Sequence, residues 1–259
     1  REDDLLKEIE ILQKLLDAEP IKAGSYPIII NPKLASVFIH EAFGHLSEAD
    51  IIQNNPAFRK KLQTGREMGD EILTVVDDPT IKGIPGHYKY DDEGQKAKRT
   101  ELIKNGILNG RLHSRETAAS FSEELSGNMR AVDCQHTPII RMSNIFIEKG
   151  DSSKEELFES IDNGYYLLNG KGGQTSGDQF TFGAEYGYRI ENGKKKEMVR
   201  DINISGELFS TLKSISMIAD DISYNEVGGC GKGNPMQLNM FSGMGAPHVK
   251  LDKANIGGK

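Results

Sequence analysis

The sequence holds 259 residues with a formal net charge of −7 and a pI of about 5.5, which leaves no basic footprint for nucleic acid. Hydrophobic residues make up 37%, there is no Trp, and 28 glycines account for much of the deficit, a composition that suits a turn-rich and sheet-rich chain with a real core. Two cysteines, Cys134 and Cys230, exclude a disulfide scaffold, and no apolar run approaches the length of a membrane span.

The N-terminus is a charged amphipathic segment rather than a signal peptide, so a cytoplasmic protein is expected, and the start at Arg1 without Met reads as a fragment or a processed piece. Leu5, Leu6, Ile9, Leu12, Leu15 and Leu16 recur at helical spacing over Glu2 to Ala18, and Glu19-Pro20 ends that helix. Tyr26 to Ile30 reads as a buried strand. Asn31-Pro32 has the form of an N-cap followed by proline at the first helical position and opens a helix over about Pro32 to Gln53. Asn54 to Gly69 is polar and reads as a mobile stretch.

Ile72 to Val76 is a strand stopped by Asp77-Asp78-Pro79. Thr100 to Lys104, Ile107-Leu108 and Arg111 to His113 form a hairpin-rich region turning at Asn105-Gly106 and Asn109-Gly110. Ile139 to Ile147 alternates as one strand, and Lys154 to Ile161 is a short helix capped from Asp151, Ser152 or Ser153. Glycine-rich Asn169 to Phe180 reads as a bulged loop, although its bare backbone can also pair with an extended peptide as an added strand. Phe180 to Ile190 is an alternating strand that turns at Asn192-Gly193 into Met198-Val199, with Lys194-Lys195-Lys196 a solvated hairpin tip. Leu208 to Ala219 reads as a second amphipathic helix and Val249 to Leu251 as a final short strand. Strands and helices do not alternate regularly, so the pattern predicts an α+β fold, a large and mainly antiparallel sheet with a few helices packed on it.

The helix opened at Asn31 carries "FIHEAFGHLSEAD". Histidines four apart lie about 40° from eclipsed on a helix and present both imidazoles to one ion, whereas His40 and His45, five apart, diverge by about 140°. They converge only if the helix takes up an extra residue as a π-bulge, which Gly44 would loosen the turn to allow. Glu41 would then stand beside the water that such a metal activates; a helix with two histidines on different faces fits the same spacing. A catalytic zinc takes three protein ligands, and Glu48, Asp50, His87, His113, His136, His248, Cys134 and Cys230 are the candidates for the third. Cys230 stands out in "EVGGCGKGNP", where glycines leave its sulfur unscreened and Lys232 favours the thiolate that binds metal. A phosphate loop is excluded there, because Gly231-Lys232 is followed by Gly233 rather than Ser or Thr.

Several segments in order resemble the C-terminal half of the TldD/PmbA family of metallopeptidases: "FIHEAFGHLSEAD", "TVVDDPT", "YDDEGQKAKRTELIKNGIL", "PIIRMSNIFIEKG", "GGQTSGDQFTF", "ISMIADD" and "GGCGKG". That family's signature is H-E-x-x-x-H, with the extra residue. The resemblance implies that His40, His45 and Cys230 are Zn2+ ligands and Glu41 the general base, and the TldD-like branch is the one that keeps this signature. It implies a peptidase acting on small or unfolded peptides, with Gly172, Gly173 and Gln174 as the edge that would hold an extended substrate. It also implies a homodimer or a heterodimer with a PmbA-like paralogue, without direct contact to nucleic acid or membrane, although the family name records an association with DNA gyrase. The whole chain, 1–259, then reads as a single C-terminal catalytic domain, with the helix at 1–19 left over from an N-terminal domain. A departure follows Gly233, where "NPMQLNMFSG" replaces the family's Gln-containing stretch and bears on substrate preference. The contrasting expectation is a non-catalytic dimerisation or binding module.

Overall fold

The computed structural model describes residues 2–227, 230–239 and 241–257; Gly228 and Gly229, which precede Cys230, and Met240, in the stretch after Gly233, lie outside the described residues. The architecture is α+β, with an eight-stranded and a six-stranded sheet and two short two-stranded pairs. In the larger sheet, Gln179–Glu191, Ile202–Glu207, Val249–Gly257, Gly24–Ile30 and Asn163–Ser176 pair in succession. The last then pairs back onto the first, so five strands close a ring. All these pairings are antiparallel except that of Gly24–Ile30 with Asn163–Ser176. The smaller sheet runs Ser223–Val227, Ser242–Ala246, Asn144–Ile147, Val75–Asp77, Thr100–Lys104, Ile107–Leu108.

The helix Pro32–Ile39 packs against strands of both sheets and is the centre of the core. Asn31 caps it as the sequence predicts, its Oδ1 accepting from the Leu34 amide at 3.0 Å, with Pro32 in the first turn. Leu34, Ala35, Phe38 and Ile39 are fully buried. Phe38 meets the rings of Phe180 and Phe182, each with its centroid 5.7 Å away, and Val37 packs on the bare backbone of Gly170.

Several elements differ from the sequence reading. The single helix expected over Pro32 to Gln53 is four pieces: the α-helix Pro32–Ile39 passes at His40 into a π-helical turn, His40–Gly44, then a 3-10 turn, His45–Ser47, and α-helix resumes at Ala49–Gln53 after an extended Glu48. Asn54 to Gly69 contains a helix, Pro56–Lys61, opened by the same Asn-Pro signal as the first, with Asn55 Oδ1 accepting from the Phe58 amide at 3.2 Å. The Asn169 to Phe180 loop is strand: Asn163–Ser176 pairs along nearly its whole length with Gln179–Glu191, whose alternating aromatics dictate the extended form.

Ile139 to Ile147 is two strands in different sheets, Ile139–Ile140 against Met129–Arg130 and Asn144–Ile147 against Val75–Asp77. Arg111 to His113 contributes only an isolated bridge, Leu112 to Glu48, before a helix at Arg115–Phe121. The helix expected over Leu208 to Ala219 ends at Leu212, and Ile215–Ile218 is a strand paired with the start of Val249–Gly257. Ile215 and Ile218 are three apart, a helical spacing that a regular strand would send to opposite faces; the pairing slips between Ile215 and Met217, both isoleucines are buried, and their β-branched side chains suit the available strand edge.

Candidate metal centre

The π-helical turn does what the spacing requires. Five residues apart on an α-helix, His40 and His45 would face different ways; with the turn widened, their ring centroids lie 5.0 Å apart. Gly44 serves this turn by its size. Its backbone is ordinary right-handed helix, and a Cβ there would collide with Met142 Sδ and lie 2.9 Å from Ile145 Cδ1. Strand Asn163–Ser176 supports the turn from outside, where Thr175 Oγ1 donates to the Glu41 carbonyl at 2.7 Å.

Cys230 opens the short strand Cys230–Lys232, paired with Gln237–Asn239. Its Sγ lies 3.3 Å from His40 Nε2 and 3.5 Å from His45 Nε2. One donor atom each from His40, His45 and Cys230 falls within 4.8 Å of the others, and these three form the one such cluster among the described residues. The remaining candidate ligands lie elsewhere: His87 Nδ1 on the Pro79 carbonyl at 2.8 Å, His113 between Thr117 and Glu123, His136 on Asp133, His248 between Asp221 and Tyr166, and Cys134 exposed.

Glu48, another of those candidates, lies against His45. Its Oε2 lies 3.3 Å from His45 Nδ1, which leaves Nε2 of the same ring facing the sulfur. Lys232 reaches Glu48 Oε2 at 3.0 Å, Asp50 Oδ1 at 2.7 Å and the Ile140 carbonyl at 3.0 Å. These contacts fasten the Cys230 strand to the segment after His45. Arg141 Nη2 holds the Cys230 carbonyl at 2.8 Å. None of these contacts has a spacing signal, because each joins residues more than 80 positions apart, except His45 to Glu48.

Burial and the neighbouring His45 charge push the His40 imidazole down to about 3. Burial works against protonating His45 too, but hydrogen bonds to Cys230 and Glu48 raise it to about 10. Burial also raises Glu41, against the opposing charge of His45. Glu41 and His45 line a cleft of about 440 Å3 together with Phe58, Thr175, Gly231 and Lys232. Gly173 passes so close to Glu41 that a Cβ there would sit 3.4 Å from Glu41 Cγ. At Gly173 and Gln174 the strand pairs with Phe182 and Thr181 on one side. Its parallel neighbour on the other side reaches only Tyr165 to Leu167, so among the described residues that edge carries no strand.

Two imidazoles and a thiol around one point form a donor set suited to zinc with a position left open, and a carboxylate at the lip of a cleft beside them is the make-up of a metal-dependent hydrolase. The sequence profile of the PmbA/TldA metallopeptidase C-terminal domain matches residues 23–258, and the chain belongs to that family. A metalloprotease of Synechocystis sp. is 42% identical over 95% of this chain and 52% of its own length. A zinc metalloprotease TldD homolog of Saccharolobus solfataricus is 39% identical over 96% of this chain and 55% of its own. The chain thus spans about half the length of the curated relatives it matches. In fold it is similar to the crystal structure of TldE from Thermococcus kodakarensis, with a TM-score of 0.77 at 22% identity over 99% of this chain and 55% of that one.

Proposed function

We propose that the chain is the catalytic domain of a zinc peptidase, TldD-like, acting on small or unfolded peptides, with His40, His45 and Cys230 as the metal ligands and Glu41 as the general base. The observation that carries this reading is the convergence of both imidazoles on the Cys230 sulfur, at 3.3 and 3.5 Å, with Glu41 at the adjoining cleft. When bound, zinc supplies Lewis acidity, polarising a carbonyl and making water acidic near pH 7.

The protein's own groups do the rest. Glu41 takes the proton of the attacking water as its oxygen adds to the scissile carbonyl carbon, and returns it to the amine nitrogen as the C–N bond breaks. The raised proton affinity that burial gives Glu41 suits a group that must both accept and release that proton. The edge at Gly172 to Gln174, beside Glu41 and without a strand among the described residues, offers main-chain groups to an extended peptide, which favours unstructured substrates.

In the same reading the helix Glu2–Asp17, with Leu5, Leu6, Leu12 and Leu16 all exposed, belongs to the junction with an N-terminal domain, and the working assembly is a homodimer or a heterodimer with a PmbA-like paralogue. Glu41→Gln is expected to keep its zinc, measured by metal analysis, and to lose turnover of an unstructured peptide by about 100-fold or more. Turnover equal to that of the unaltered protein contradicts the assignment.

A further inference from the structure

The strand pair that brings Cys230 to the histidines borders two cavities. Gly231 and Lys232 line the cleft with Glu41, while Gln237 and Leu238 line a second space of about 420 Å3. Val132, Ile139 and Leu238 give the second space apolar walls, and Phe241 stands at its edge. Its only charged lining residues, among those described, are Arg130 and Arg141; no carboxylate lines it, in a protein whose net charge is −7.

Burial weakens proton binding at Arg130 and the neighbouring Arg141 guanidinium adds to this, while Asp77 and Asp92, outside the cavity lining, oppose it. Arg130 is engaged, donating to the Phe241 carbonyl at 2.8 Å and lying over the Tyr88 ring. Arg141 is 3% exposed, and apart from the bond from Nη2 to the Cys230 carbonyl, its Nε and Nη1 have no partner among the described residues. Glu48, the acid whose ionisation Arg141 favours, bonds His45 and Lys232 instead. A buried guanidinium with unspent donors calls for an acceptor, and a carboxylate matches its fork in geometry and charge.

We propose that this cavity is a substrate subsite for a carboxylate carried on an apolar residue, bound by Arg141 with Arg130 beside it while the apolar walls take the side chain. The chemistry fits the C-terminal residue of a short peptide, and an acidic side chain next to an apolar one is the other source. The subsite rests on the peptidase reading, which puts a peptide in the cleft that Gly231 and Lys232 share with Glu41. It adds to that reading a preference for short peptides with a free terminus.

The test is a binding measurement on zinc-loaded Glu41→Gln protein, by fluorescence polarisation of an N-terminally labelled tetrapeptide ending in leucine. Three forms are compared: the free acid, the C-terminal amide, and an amide carrying glutamate before the leucine. The acid is expected to bind at least about tenfold tighter than the plain amide. That preference should collapse on adding Arg141→Gln. It should collapse also with Val132→Glu, a change at a half-exposed wall position that places a negative charge in the cavity without removing a buried group.

A glutamyl amide that matches the acid supports the carboxylate site with the side chain as its source. Equal binding of all three, no binding of any, or an acid preference that survives both variants overturns the subsite. Turnover by the protein retaining Glu41 is read separately, so an acid preference without hydrolysis leaves the subsite standing and counts against the peptidase.

Discussion

At the scale of single residues, the proposed centre depends on how its donor side chains are held. His45 is set by Glu48, a fully buried carboxylate whose charge Lys232 offsets at 3.0 Å. This pair joins the segment after His45 to the strand of Cys230 and so helps to hold the three donor side chains together. Glu48→Gln is therefore expected to weaken zinc affinity by about 10- to 100-fold, read by competition with a chromophoric chelator, while leaving the fold intact. An unchanged affinity would mean that His45 is positioned by packing alone. The ligand candidates were legible from the sequence because H-E-x-x-x-H and a glycine-flanked cysteine are local patterns. Glu48 was legible only as one more possible ligand, and Thr175 and Arg141 had no signal, since their partners are brought to them by the sheets.

At the scale of elements, the motif helix is fixed at its start by Asn31. The Oδ1 of that residue accepts from the Leu34 amide at 3.0 Å and from the Asn169 amide at 3.1 Å, so one side chain caps the helix and ties it to the strand that passes over Glu41. Asn31→Ala is expected to destabilise the protein by about 1–2 kcal/mol in urea denaturation. A loss within error would show that the cap is replaced by solvent. The cap was readable from Asn-Pro, and the same dipeptide at Asn55-Pro56 shows that the signal was stronger than the polar composition around it suggested. The π-helical turn was readable for a different reason: five-residue spacing and convergence are incompatible on a regular helix. Where an irregular strand spaces its buried residues three apart, as at Ile215 and Ile218, the sequence pattern favours a helix, and pairing with Leu251 and Val249 decides otherwise.

At the scale of the whole molecule, the mainly antiparallel α+β character followed from the hairpin turns, but the closure of five strands into a ring did not. Closure depends on the parallel pairing of Ile28–Ile30 with Tyr165–Leu167, a contact between distant segments that no local pattern encodes. The candidate centre likewise spans the fold, with His40 and His45 in the turns that follow the central helix and Cys230 on a short strand far along the chain. Zinc that binds only the folded state should then stabilise the entire domain, by about 2.7 kcal/mol at a free concentration 100 times its dissociation constant. Thermal denaturation with zinc and with chelator is expected to show a rise in Tm that Cys230→Ser largely abolishes. A rise of equal size in that variant would place the ion on other ligands.

The most direct test of the centre is the anomalous difference density of zinc-grown crystals, recorded on both sides of the zinc absorption edge. One peak is expected, about 2.0–2.3 Å from His40 Nε2, His45 Nε2 and Cys230 Sγ, with Glu41 beside it and outside bonding distance. A peak bonded to Glu48 or Asp50 in place of Cys230, or density only at surface histidines, would contradict the account.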